Sequence, residues 1–172
     1  MTTPLVRPVG RDAGRDIVVG IGELAVGGRG DRLITYALGS CLGVALYDPV
    51  AGVGGLLHAM LPTSSLDPQR ATQTPALFVD TGVPALFRAC YAAGAAKSRL
   101  VVRVAGGGRS GDGEDQFQIG KRNVLTLRKL LWKNAVLVQA EDVGGENLSR
   151  SLALDLGTGA LRLRRNGDDL LL

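Results

Sequence analysis

Hydrophobic positions along the chain change period several times, and each change marks an element. Residues 1–16 show no period: Pro4, Pro8, Gly10 and Gly14 are scattered among three arginines, which reads as a loose arm. From Ile17 the pattern becomes β-like. Ile17–Val26 (IVVGIGELAV) is rich in β-branched residues and predicts a strand; the turn Gly27–Asp31 leads to a second strand over Arg32–Tyr36. Leu38-Gly39-Ser40 forms a tight corner before a third strand, Cys41–Tyr47 (CLGVALY). Asp48-Pro49 opens a turn to Gly52, and Gly54–Leu61 (GGLLHAML) is a fourth strand ended by Pro62.

The period then lengthens. Val83, Leu86, Phe87, Cys90 and Tyr91 follow helical spacing, with Thr81 as expected cap and Gly94 as stop; a shorter helix is expected from Pro75, capped by Thr74. Leu100–Ala105 predicts a strand, Gly106–Gly113 a mobile glycine-rich loop, and Lys121–Lys133 a second helix with Val124, Leu127, Leu130 and Leu131 on one side. Ala135–Ala140 is expected as a further strand, and Ser151–Leu156 with Ala160–Arg164 as a hairpin. The whole reads as mixed α/β layers in a single domain over residues 17–165, with residues 166–172 as a tail.

Composition narrows the function classes. At 172 residues the chain is long enough for one real core, and 45% hydrophobic with 21% charged residues is an ordinary globular balance. No apolar run approaches the roughly 20 residues that span a bilayer, and the arm lacks the apolar block of a secretory signal. A cytoplasmic protein without membrane insertion is the expectation. Two cysteines and one histidine cannot furnish an ordinary structural zinc site without carboxylates, and a reducing compartment favours free thiols. The net charge of +4 permits an acidic partner, protein or nucleic acid.

Chemistry concentrates at Cys41 and His58. If the strands on either side of Asp48–Gly52 pair antiparallel, a register with position sums of 99 sets Cys41 opposite His58; sums of 101 set His58 opposite Gly43, one diagonal step from Cys41 and on the same face. Diagonal neighbours lie roughly 7–8 Å apart at the backbone. Only an even sum, or a bulge, separates the two side chains. The corner at Gly39 and Ser40 offers backbone N–H groups for an oxyanion, and Thr35, six residues before Cys41, offers a hydroxyl to orient the imidazole. Taken singly, each residue has a plain alternative: Cys41 as small core residue, His58 as satisfied core histidine, Thr35 as strand former. Cys90, on the helix stripe, reads as core, and Asp48 and Asp80 as turn and cap residues.

Two further readings compete. Gly106, Gly108 and Gly111 spell G-x-G-x-x-G, but Asp112, Glu114 and Asp115 follow where a phosphate would sit, so no dinucleotide or other cofactor is expected. Arg128, Lys129, Arg162 and Arg164 suit an adaptor that docks on proteins without catalysis; without interleaved aromatics they offer nucleic-acid bases little to stack on.

The stretch ITYALGSCLGVALYDP followed by GGLLHAMLP resembles the signature of the CheD family of chemoreceptor glutamine deamidases. IVVGIGELAV, FVDTGVPALFRACYAAGA, QIGKRNV and AEDVGGENLSRSLALDLGTGALRLR resemble its first strand, first long helix, second-helix entry and closing segment. The resemblance implies an α/β (α+β) sandwich with mixed sheets and two main helices, and an active site like that of toxins that deamidate host GTPases. It maps the catalytic Cys, His and Thr onto Cys41, His58 and Thr35. It implies hydrolysis of receptor glutamines to glutamate, in some members of receptor glutamyl methyl esters, and a CheC-type phosphatase as regulatory partner. The chain departs from the family pattern at Gly106-Gly107-Gly108-Arg109, usually Gly-Gly-Ala and then Met, and at Leu148-Ser149 before Arg150, where glycine is common.

Overall fold

The computed structural model describes residues 5–6, 14–109, 111 and 117–172. The chain order is β1 (Leu5–Val6), β2 (Asp16–Val18), β3 (Glu23–Gly27), β4 (Arg32–Leu38), β5 (Leu42–Asp48), β6 (Val53–Ala59), α1 (Pro68–Gln73), α2 (Val79–Ala92), β7 (Val101–Gly106), α3 (Ile119–Lys133), β8 (Ala140–Val143), β9 (Arg150–Asp155), β10 (Leu161–Arg165) and β11 (Asp168–Leu171). Among the described residues these strands form two sheets, ordered β1-β3-β6-β5-β7-β8 and β11-β10-β9-β4-β2.

Three layers follow from what the strands bury. All seven positions of β5 and of β6 are buried, which requires cover on both faces of the first sheet. Leu42, Val44, Leu46 and Leu57 pack under Val83, Leu86, Cys90, Leu127 and Leu131 of the helices. The alternate positions, Cys41, Ala45, Tyr47 and Leu56, face Leu33, Leu152, Leu154, Leu161 and Leu163 of the second sheet. The expected sandwich forms, with the near-continuous apolar runs at its centre because those strands have no solvent face.

The turn between β5 and β6 is anchored by Asp48, which is fully buried. Its carboxylate accepts from the Val50, Ala51 and Ala96 N–H groups and from Arg99, and these partners hold it well below the usual carboxylate range. The turn residue read from sequence is thus also a tie between this hairpin and the loop after α2.

Five expectations are corrected. Ile17–Val26 is two strands in different sheets: Gly22, at φ 74°, turns the chain, and Gly20 N–H donates to Glu23 Oε2 at 2.8 Å. Thr81 does not cap its helix; α2 begins at Val79, and the Thr81 hydroxyl donates to Pro75 O at 2.6 Å. Pro75–Leu77 is only a 3-10 turn, and the true helix before it is α1, where Asp67 accepts from Arg70 N–H at 3.0 Å. Ala135–Ala140 is not a strand, because Val136 N–H still closes onto Leu131 O at the end of α3 and regular pairing with β7 starts at Ala140. The segment after the hairpin, read as a tail, continues as β11 against β10. Most of the expected N-terminal arm, residues 1–4 and 7–13, lies outside the described residues.

Candidate active site

β5 and β6 pair antiparallel with Leu42 opposite Ala59 and Gly43 opposite His58. This is the register whose sums equal 101, so Cys41, immediately before β5, is a diagonal neighbour of His58 on the face toward the second sheet. Gly43 matters to that face. A Cβ there would sit 2.7 Å from Leu152 Cδ1 and 2.8 Å from Leu38 Cδ1, so a larger residue would push both leucines aside where the second sheet closes against the base of the pair.

The second sheet supplies Thr35, fully buried on β4 opposite Leu152. Just beyond it the register with β9 slips between Thr35 and Leu38, and Ala37 takes φ 57°. This bulge turns Tyr36 and Ala37 outward and starts the corner that delivers Cys41. Thr35 Oγ1 lies 2.8 Å from His58 Nδ1 and donates to Val19 O at 2.7 Å. A hydroxyl has one proton. With it given to Val19, Thr35 can only accept from His58, so Nδ1 carries the imidazole proton and Nε2 holds the free lone pair.

His58 is 1% exposed, and its Nε2 has no hydrogen-bond partner among the described residues, Cys41 included. The resting structure therefore brings thiol and imidazole onto one face without joining them. Burial pushes the His58 imidazole below its ordinary 6.5, which keeps it neutral. Burial also pushes the Cys41 thiol up, its own backbone N–H opposing this in part. Both shifts favour a neutral thiol beside a neutral imidazole over a preformed ion pair. Cys41 is 9% exposed and Cys90 is sealed, its thiol pushed up to about 12 by burial. Both thiols are free. Cys90 packs in the helix-side core, as read from sequence.

Among the described residues, the Ser40 and Cys41 N–H groups donate to no carbonyl. The carbonyls of the corner are held from behind: Gly39 O by Gly108 N–H and Cys41 O by Gly107 N–H, each at 2.9 Å. This replaces the mobile loop expected from the glycines. Gly106 ends β7, and Gly107, at φ 62°, fits where a Cβ would meet Val124 and Gly120. The glycines serve close packing of strand, corner and helix; the remainder of that loop, at residues 110 and 112–116, lies outside the described residues. Arg109, at the departure from the family pattern, pairs with Glu146.

One residue of the site escaped the sequence reading. Asn123, fully buried on α3, donates from Nδ2 to Ser40 O at 2.9 Å and to Met60 O at 3.0 Å. The available signal was an amide one position before Val124 on the buried stripe of a helix, where a polar group needs partners. Among the described residues no cluster of three or more His, Cys, Asp or Glu gathers as a metal site, and no helix is long and apolar enough to cross a membrane.

Known proteins resemble this chain over most of its length. The family model described as CheD chemotactic sensory transduction matches residues 60–165. A protein of Syntrophus aciditrophicus named probable chemoreceptor glutamine deamidase CheD 1 is 48% identical over 156 residues, covering 90% of this chain and 97% of its own. The probable chemoreceptor glutamine deamidase of Solibacter usitatus is 47% identical, covering 88% and 89%, and that of Pyrococcus abyssi 44%, covering 88% and 92%.

Proposed function

We propose that this chain, which belongs to the CheD family, is a chemoreceptor glutamine deamidase, an amidohydrolase with Cys41 as nucleophile, His58 as general base and acid, and Thr35 as the group that orients His58. The observation that carries the reading is the hydrogen-bonded run Val19 O, Thr35 Oγ1, His58 Nδ1, because it leaves an uncommitted basic nitrogen on the face of the only partly exposed thiol.

The mechanism follows from the protonation states. Substrate binding brings the thiol and Nε2 together, as catalytic hydrogen bonds often tighten only in the complex. His58 Nε2 takes the Cys41 proton while sulfur attacks the glutamine carboxamide carbon. The Ser40 and Cys41 N–H groups stabilise the oxyanion, a contribution of about 3 kcal/mol per donor. The imidazolium returns its proton to the nitrogen, ammonia leaves, and a thioester remains. Water, deprotonated by the same imidazole, hydrolyses the thioester to glutamate and frees the thiol. No cofactor takes part. Receptor glutamyl methyl esters fit the same steps with methanol leaving.

Val18, Ile21, Tyr36 and Met60 are exposed apolar residues, each within two positions in sequence of Val19, Thr35 or His58. Exposed apolar residues that cluster mark a contact surface for another chain, and we read these four as candidates for it. A receptor helix presenting glutamine would bury it. The family resemblance adds a CheC-type phosphatase as a proposed regulatory partner. The rival adaptor reading relied on Arg128, Lys129, Arg162 and Arg164; two of these are engaged within the molecule, Arg128 with Glu141 at 2.6 Å and Arg164 with Asp169 at 3.9 Å.

Running the reaction on a receptor cytoplasmic fragment in water enriched in oxygen-18 tests the chemistry. Hydrolysis of a thioester requires each modified glutamine to gain about 3 Da, against about 1 Da in ordinary water. Gain of only 1 Da in enriched water, or no gain, contradicts hydrolytic deamidation.

A further inference from the structure

Three consecutive carbonyls lie in the corner that carries Cys41, and a different donor holds each. Gly108 N–H holds Gly39 O, Asn123 Nδ2 holds Ser40 O, and Gly107 N–H holds Cys41 O, all at 2.9 Å. A trans peptide unit is planar, so its N–H points opposite to its C=O. Holding Gly39 O therefore aims the Ser40 N–H, and holding Ser40 O aims the Cys41 N–H. Two of the three planes are set by backbone donors of the glycine segment. The plane between Ser40 and Cys41 alone is set by a side chain.

We infer that Asn123 is a positioning residue for the deamidation: its amide fixes the Ser40–Cys41 peptide plane so that the Cys41 N–H faces the developing oxyanion. The inference rests on Cys41 being the nucleophile. Asn123 also donates to Met60 O at 3.0 Å, two residues beyond His58, so a single amide ties the nucleophile's segment to the base's segment. Both of its N–H groups are spent in these two bonds. The reversed amide would set Oδ1 against two carbonyl oxygens, so chemistry fixes the orientation.

The cost of this arrangement argues for a purpose. Asn123 Oδ1 is buried without a partner among the described residues, and asparagine is a weak helix former in the body of α3. Leucine would fill similar space at no polar cost and with better helix propensity. It could not hold two carbonyls.

The test compares two reactions of the same sulfur in wild type, Asn123→Ala and Asn123→Asp. Deamidation of a receptor cytoplasmic fragment passes through an oxyanion. Alkylation of Cys41 by iodoacetamide, followed peptide by peptide, does not, so it reports the thiol, the imidazole and only the partial effect of the Cys41 N–H on its own sulfur. Both variants are expected to lower kcat by about 10- to 100-fold. KM should stay within about twofold, since ground-state binding does not use the oxyanion donors, and the Cys41 alkylation rate should fall much less than kcat, since the Cys41 N–H offsets the burial of its own thiol only in part. Asn123→Asp keeps the side-chain shape, so the expectation stands on it if the alanine variant leaves a cavity that lowers the melting temperature. An unchanged kcat, or a kcat that falls in parallel with alkylation, overturns the inference. Deamidation that persists in Cys41→Ala would instead overturn the nucleophile assignment itself.

Discussion

Thr35 and His58 reach each other across the gap between the two sheets, with Oγ1 and Nδ1 2.8 Å apart. Because Thr35 gives its proton to Val19 O, the contact selects one tautomer of the imidazole. Replacing Thr35 by Val keeps the side-chain shape and removes that selection, leaving Nδ1–H and Val19 O unpartnered. We predict that Thr35→Val lowers kcat by about 10- to 100-fold, the equivalent of one or two lost hydrogen bonds, with little change in KM. Thr35→Ser should recover most of the rate. Steady-state kinetics on a receptor fragment decides it, and equal rates for the Val and Ser variants would show that the hydroxyl does not orient the base.

The two site groups also set a pH dependence. Burial lowers the His58 pKa from 6.5 and raises the Cys41 pKa from 9.0. His58 must be neutral to take the proton, so activity is lost only as pH falls below 6.5, where the imidazole becomes charged. On the other side, a thiolate beside a neutral imidazole has no proton to give ammonia, so activity declines above pH 9. The profile of kcat/KM should be a bell with its acid limb below 6.5 and its alkaline limb above 9. An acid limb set by a thiol titrating near pH 4, with loss already above pH 8, would reveal a thiolate–imidazolium pair in the resting enzyme instead.

How legible this site was depends on the separation between its residues. The pairing of Cys41 with His58 was open to argument because a short turn joins their strands and parity limits the registers to few outcomes. Thr35 is legible as a hydroxyl six residues before Cys41, but it sits on the other sheet, and no strand-pairing argument from sequence reaches across layers to set it against His58. Asn123 approaches from a helix more than sixty residues beyond His58, which no local pattern reports. The misread elements share a cause. In Ile17–Val26 and Ala135–Ala140, β-branched composition spoke for strand, and a tertiary hydrogen bond from Gly22 N–H to His58 O and a helix-end bond from Val136 N–H to Leu131 O decided otherwise. The glycine segment reads as mobile from sequence because sequence shows missing side chains and not the backbone that packs into their space.

The two thiols should differ in reactivity for a reason that is visible in their surroundings. Cys41 is at the edge of the inter-sheet layer, and Cys90 is fully enclosed on the buried face of α2 with its pKa pushed up to about 12. Under native conditions iodoacetamide should label Cys41 at least about tenfold faster than Cys90, as thiolate fraction and access both favour it. Peptide-resolved mass spectrometry over a time course measures both rates. Equal rates, or faster labelling of Cys90, would remove the case for an accessible, activated sulfur.

The account depends above all on one sulfur atom performing the hydrolysis. The direct measurement is the mass of glutamine-containing peptides from a receptor cytoplasmic fragment after incubation with wild type, Cys41→Ala and Cys90→Ala. Wild type and Cys90→Ala are predicted to add about 1 Da per modified glutamine, and Cys41→Ala to add nothing. The same gain from Cys41→Ala would contradict the account.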